Sequence, residues 1–232
     1  MTFLTNIGFY AYLGEQALRA LGIKGIRGKR NLSAPKQEHK KYPYIAREKP
    51  IVKINQVWST DITYIITRYG IVYLVAVIDW HSRMVLSWDM SNTMDEVFCT
   101  RVLESALERY GIPEIFNTDQ GSQFTGDLFI STLLKNKIRP SHDGKGRATD
   151  NAHSERFWGS IKWEDLYLRD TTTPDELRVN IAEYVLYYNH ERPHQSLDYK
   201  TPSEAHFDLE KKLFDSDGEF IYTQKELKYM TL

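Results

Sequence analysis

Cysteine is almost absent from this chain of 232 residues, with Cys99 the single example. That excludes an internal disulfide framework and a multi-cysteine zinc module, and one thiol suits a reducing compartment. Long hydrophobic runs are also missing. Nothing approaches the roughly 20 apolar residues of a membrane span, and the N-terminus lacks the basic stretch followed by an unbroken apolar one that marks a secretion signal. The expectation is a cytoplasmic protein with no membrane partner. Net charge is small too, at -1, but the sum conceals an asymmetry. Residues 1–50 hold ten Lys/Arg against three acidic residues, so the remainder is acidic overall. A basic arm on an acidic body suits a polyanion such as DNA.

What the chain does have is core material. With 41% hydrophobic and 13% aromatic residues it can bury one main domain, and it is not a disordered chain. Residues 11–23 have weak helical spacing, broken by Gly22, Gly25 and Gly28, and this opening is too short to bury its own core. From Gln56 the pattern becomes β. Val57 to Ile66 make a first strand, and Thr67 to Gly70 a tight connection. Ile71 to Ile78 form a continuous apolar run, as in a strand covered on both faces, and Met84 to Met90 alternate as a third strand.

A helix follows, with Thr93 and Glu96 spaced as a capping box, a stripe of Phe98, Val102, Ala106 and Tyr110, and the stop signals Gly111 and Pro113. Glu114 to Thr118 read as a short strand, Gly126 to Lys135 as a helix, Lys137 to Arg139 as a brief strand and Ser141 to Thr149 as a polar loop. A helix beginning near Asp150 or Asn151 carries Glu155 and Lys162 on one edge beside the apolar Phe157, Trp158 and Ile161. Thr173-Pro174-Asp175-Glu176 starts the next helix, with Leu177, Ile181, Tyr184, Val185 and Tyr188 as its buried stripe. The tail from Phe207 is polar, with a short hairpin expected around Asp217-Gly218.

Three strands, then alternating helices and strands, describe an α/β domain with a mixed five-stranded sheet flanked by helices. If the fourth strand pairs with the first, the first is central, and Asp61 and Asp119 stand on adjacent strands. Aspartate is depleted inside strands, and a buried carboxylate is costly unless a cation or hydrogen bonds compensate. With Glu155 arriving on a later helix, three carboxylates would make an all-oxygen site suited to Mg²⁺ or Mn²⁺. Asp79 has a plainer reading: if Ile66 faces Ile71, it pairs near Trp58 and is a turn residue. His153 has no Cys/His cluster around it, so it offers no zinc site.

The blocks Trp58-Ser59-Thr60-Asp61-Ile62-Thr63-Tyr64-Ile65, Asn117-Thr118-Asp119-Gln120-Gly121-Ser122-Gln123-Phe124 and Asp150-Asn151-Ala152 through Glu155 to Lys162 resemble those of a DDE transposase. The similarity is to the OrfB-type subunit of insertion sequences, whose core is like that of retroviral integrase. The 35 residues between Asp119 and Glu155, and Lys162 seven beyond the glutamate, match that family's spacing. Val77 to Arg83, Tyr188 to Leu197 and Thr201 to Glu204 add further matches. Two small departures, Thr118 for the commoner Ser and Phe124 for the commoner Tyr, remove no ligand.

The resemblance implies an RNase H-like fold and nucleotidyl transfer, with Asp61, Asp119 and Glu155 as catalytic ligands of two Mg²⁺ (or Mn²⁺) ions. It implies DNA contacts by Lys162 and a docking role for Arg192, and Lys145 and Arg147, in a loop with Gly144 and Gly146, suit a DNA-gripping loop. Partners would be transposon ends and target DNA, further copies of the chain, and a helix-turn-helix subunit from an upstream frame. Action would be at the nucleoid. The expected organisation is a basic segment over residues 1–50, resembling a truncated helix-turn-helix region and linker, a catalytic core over 51–206 and a tail over 207–232. A non-catalytic DNA-binding remnant of such an element is the competing reading. A structure-selective nuclease is disfavoured by the spacing.

Overall fold

The structure is a computed structural model that describes residues 42–46, 50–68, 70–144, 151–169 and 173–207. The readings of residues 11–23, most of the basic segment, Lys145, Arg147 and the tail beyond Phe207, with the hairpin expected around Asp217-Gly218, lie outside the described residues. Strands β1 (Val57–Thr67), β2 (Gly70–Asp79) and β3 (Val85–Ser91) form an antiparallel meander. Ile66 faces Ile71 and Trp58 faces Asp79, the register that makes Asp79 a turn residue. Helix α1 (Glu96–Tyr110) crosses to β4 (Ile115–Thr118), which pairs parallel with β1. Helices α2 (Ser122–Thr125) and α3 (Asp127–Lys135) then lead to β5 (Arg139–His142) at the edge. The sheet order is β3-β2-β1-β4-β5, so β1 is central. Helix α4 (Ala152–Ile161) runs into a π-helical turn (Lys162–Leu166), followed by α5 (Pro174–His190) and α6 (Pro202–Phe207).

Two apolar layers sandwich the sheet. Val75 and Val77 of β2 face α1 and α3 together with Trp58, Leu103, Phe116 and Phe129. The alternate residues Leu74, Ala76 and Ile78 face α4 and α5 together with Phe157, Ile161, Ile181 and Tyr184. A strand covered on both faces has no use for polar positions, which is why β2 reads as an unbroken apolar run. Cys99 is buried in the first layer, and burial pushes its thiol up to about 12, so it stays protonated and unreactive.

Several local expectations are corrected. The N-cap of α1 is Asp95, whose carboxylate accepts from Phe98 N at 2.8 Å, while Thr93 donates to Asp95 and so supports the cap from outside. Glu96 instead reaches across to accept from Phe129 N at 3.0 Å, near the start of α3. A Cβ on Gly126 would sit 2.2 Å from that carboxylate, so a glycine is needed there for close approach. The last strand is Arg139–His142 and not Lys137–Arg139, and Ser141 belongs to it and not to a loop. Proline is tolerated on an edge strand, where its missing N–H leaves no ladder partner unpaired. Tyr188 is buried, as its place on the α5 stripe leads one to expect.

The turn and helix ends are fixed by buried polar side chains. Asp79, fully buried, accepts from Asn55 N, His81 N, Ser82 N and the Ser82 hydroxyl. Thr173 and Glu176 form the capping box that starts α5, and Thr201 and Glu204 bond reciprocally at α6. Near the C-terminal end of α5, buried Asn189 donates to Val85 O (2.9 Å) and accepts from Val85 N (3.0 Å), completing the open edge of β3 with an amide. Replacing Asn189 by Ala would leave both backbone groups buried without partners, at a cost of about 2 to 3 kcal/mol in urea unfolding. A loss below about 0.5 kcal/mol would show that water replaces the amide at no cost.

Candidate active site

Ser59, Asp61 and Thr63 lie on the face of β1 opposite Trp58, because side chains alternate along a strand. Helix α4 is laid along that face. The Ser154 and Ser59 hydroxyls bond at 3.1 Å, Trp158 Nε1 donates to Asp61 Oδ2 at 3.1 Å, and Lys162 Nζ donates to Thr63 Oγ1 at 2.5 Å. At the start of the helix Asn151 Nδ2 donates to Thr60 O at 3.2 Å. Asn151 therefore occupies the N-cap position without a capping side-chain bond, spending its amide on the sheet.

Asp119 reaches the same region from the next strand. The β1 and β4 ladder pairs Ser59 with Asn117, and two more residues along each strand bring Asp61 and Asp119 level. Asp119 Oδ1 accepts from Gly121 N at 2.8 Å, which turns the chain away from the sheet. The loop is pinned from below: Asn117 Nδ2 donates to Asp143 Oδ1 (2.7 Å) and Gln120 Nε2 to Asp143 O (2.8 Å). Asp119 and Glu155 are open to solvent, and Asp61 is partly buried.

The electrostatics mark Asp61 as the strained member. Burial, followed at lower weight by the charges of Asp119 and Glu155, raises its pKa to about 6, against the lowering effect of the Ile62 N–H and Trp158 bonds. Asp119 is raised as well, by desolvation of its carboxyl even though the residue reaches solvent, with the Gly121 N–H opposing. Burial lowers Lys162, and the Asp61 charge works in the other direction, so the lysine lies within electrostatic reach of the carboxylate. Its Nζ also stands 5.5 Å from the centre of the Tyr64 ring.

Asp61, Asp119 and Glu155 are thus brought to one end of the central strands, with Lys162 beside them. Their chemistry, anionic oxygen without sulfur or imidazole, fits a hard divalent cation. Among the described residues no three His, Cys, Asp or Glu side chains converge closely enough to enclose an ion, so the arrangement is an open one. Arg192 stands elsewhere. It makes a two-pronged pair with Glu164 of the π-helical turn (Nε to Oε2 2.8 Å, NH2 to Oε1 2.6 Å) and lies against Tyr188. Trp158 carries a role that its place on an apolar helical arc hides. The available signal was that a buried indole N–H needs an acceptor, four residues after a serine on the stripe facing β1.

The comparisons agree with this architecture. An integrase core domain family matches residues 52–148, and a second integrase core domain family matches residues 136–202. The chain belongs to the integrase core domain family, matched over residues 52–202. It is 37% identical over 153 residues to the transposase for insertion sequence element IS904 of Lactococcus lactis subsp. lactis (strain IL1403), covering 65% of this chain and 60% of that protein. It is 35% identical over 143 residues to transposase InsF for IS3A of Escherichia coli (strain K12), covering 60% of this chain and 50% of that protein. The match therefore spans only part of these relatives. The HTLV-2 integrase catalytic core domain, solved in complex with magnesium in a trimeric form, superposes with a TM-score of 0.56 at 22% identity, covering 67% of this chain and 98% of that one. That likeness establishes the fold, a retroviral-integrase-type, RNase H-like core.

A pH dependence follows for the metal-free protein. Because the folded-state pKa of Asp61 is raised, the folded state holds a proton that the unfolded chain releases between about pH 4 and pH 6. Stability from this group therefore falls as pH rises through that window and stays low above it. In the presence of a chelator, Asp61→Asn would gain about 2 to 3 kcal/mol at pH 7 and nothing at pH 3.5. Equal stability of the two proteins at both pH values would refute the desolvation of Asp61.

Proposed function

We propose that the chain is the catalytic core of an insertion-sequence transposase that cuts DNA at the element's ends and joins the freed 3′ ends to target DNA, using divalent cations. One observation carries the reading: Asp61, in the interior of the central strand, feels the charges of both Asp119 and Glu155, a juxtaposition that destabilises the metal-free fold and that a bound cation would relieve. Membership of the family supports it, as does the magnesium in the HTLV-2 core.

On this reading Asp61, Asp119 and Glu155 would hold two Mg²⁺ (or Mn²⁺) ions. When bound, the ions supply activation of the attacking oxygen and neutralisation of the leaving oxygen in an in-line displacement at phosphorus. The rest is done by the chain's own side chains. Trp158 fixes the Asp61 carboxylate plane, the Gly121 N–H fixes Asp119, and Lys162, whose Nζ lies over the Tyr64 ring, holds a phosphate of the transposon end. The nucleophile is water for cleavage and the DNA 3′-OH for strand transfer.

Residues 51–206 make up this core, with the basic residues 1–50, Lys145 and Arg147 as further DNA contacts and 207–232 as a tail. The partners are element ends and target DNA at the nucleoid, several copies of the chain assembled on them, and a helix-turn-helix subunit. Arg192 serves its docking role through its hold on the π-helical turn.

Asp61→Asn, Asp119→Asn and Glu155→Gln would each lower Mg²⁺-dependent strand transfer by roughly 10²-fold or more. Cooperative unfolding would persist in all three. Full strand transfer in any one of them, assayed with oligonucleotides carrying the element's ends, would sink the assignment.

A further inference from the structure

Helix α4 has a second working side. His153, Arg156 and Ser160 follow the spacing i, i+3, i+7 and form a stripe distinct from the Ser154, Trp158 and Lys162 stripe turned to β1. They line a cavity of about 230 Å³ whose other walls include Arg83, from the turn after β2, and Arg192 and His194, after α5. Three segments far apart in sequence bring three guanidinium groups around one space, and no carboxylate lines it.

The charge of this cavity is not balanced from within. Arg192 is paired with Glu164 outside the cavity. Arg83 donates to Trp80 O and to His153 Nε2 (3.0 Å), and makes no ion pair among the described residues. Arg156 is exposed and is likewise without an acidic partner among the described residues. Burial with the adjacent Arg192 and Arg83 pushes His194 down to about 4, so that imidazole is neutral at pH 7. Since guanidinium only donates, His153 accepts at Nε2 and carries its proton on Nδ1. Arg83 also has its backbone in the left-handed region (φ 64), a conformation that costs a non-glycine residue energy and persists only where the surroundings impose it.

We propose that this cavity is a binding site for a phosphate group, and that in the working protein the phosphate belongs to the DNA backbone. Guanidinium forks and hydroxyl donors around a space without acceptor carboxylates match a tetrahedral oxyanion carrying negative charge. The cavity and the carboxylate cluster lie on different sides of one helix, a separation of about 10 Å. At 3.4 Å per step along a strand, roughly three nucleotides span that width, so one DNA strand crossing α4 engages both. The proposal rests on the DNA-processing reading for the source of the phosphate, but not on the metal chemistry.

The test is equilibrium binding of the full chain to a short DNA duplex, with chelator present so that cleavage plays no part. Arg156→Gln, at an exposed position that leaves the fold intact, would weaken binding several-fold and reduce the slope of log affinity against log salt by about 1. Arg139→Gln, at an exposed position on the β5 edge, is the control and would change neither. In parallel, inorganic phosphate would shift the ring resonances of His153 and His194 in the unmodified chain and shift them less in Arg156→Gln. An unchanged salt slope in Arg156→Gln overturns the proposal, as does an equal loss in Arg139→Gln or a chain that binds no duplex. Phosphate binding at the histidines with an unchanged duplex slope overturns the DNA source and leaves a site for a free anion. A catalytically dead chain that still showed the Arg156 effect would fail the strand-transfer reading alone.

Discussion

Everything that makes the carboxylate cluster possible depends on the way α4 lies along β1. A four-residue step on a helix advances about 6 Å, and a two-residue step on a strand advances about 6.6 Å. Ser154, Trp158 and Lys162 can therefore meet Ser59, Asp61 and Thr63 one after another with little accumulated mismatch. Three side-chain bonds in register fix both the position and the rotation of the helix about its axis. The rotation matters most, since it decides which way Glu155 faces. Phe157 and Ile161, buried on the neighbouring arc, supply the apolar attraction that presses the helix onto the sheet, while the polar series sets where it stops.

Support for that docking comes from residues with no role in chemistry. The π-helical turn that closes α4 presents Glu164, which takes Arg192 in a two-pronged pair and the Tyr184 hydroxyl at 2.8 Å. Arg192 holds the Glu164 carboxyl below the usual carboxylate range, so the pair stays charged. A π-turn inserted into a helix is uncommon and is retained where a side chain has to be re-aimed. Here it lets the helix end meet α5, while Asn189 one turn earlier fastens α5 to β3. The stretch Asn189 to Arg192 thus works as a strut between the two helices and the edge of the sheet.

Much of this was readable from one sequence because it is governed by short-range rules. The β1 and β2 register followed from a tight connection between two strands, and the central position of β1 from the parallel return of β4 beside it. The interval from Asp119 to Glu155 carried the third carboxylate, and the resemblance to a family gave it meaning. What was misread depended on competition between neighbours. Thr93 and Glu96 have capping-box spacing, yet Asp95 is the better acceptor at that end, and Glu96 is drawn to an N–H on another helix. Helix α2, four residues long, has no periodicity to detect. The Trp158 bond and the arginine cavity need contacts between segments some 70 or more residues apart, such as Arg83 with His153, and no local pattern contains them.

On the proposed reading, part of the orientation that a cation needs is present before it binds. An ionised carboxylate offers about four acceptor positions. Asp61 uses one on each oxygen, for Ile62 N and Trp158 Nε1, and Asp119 uses one for Gly121 N. Glu155 has no hydrogen-bond partner among the described residues. A cation could therefore enter without displacing the bonds that hold Asp61 and Asp119 in orientation, and would find two of its three carboxylates already fixed. On the same reading, a cation bound at Asp61 would offset part of the free energy that raises the Asp61 pKa in the metal-free protein. A neutral residue at 61 would make the fold easier to maintain and remove that gain, so stability and cation affinity oppose each other at this one position on the central strand.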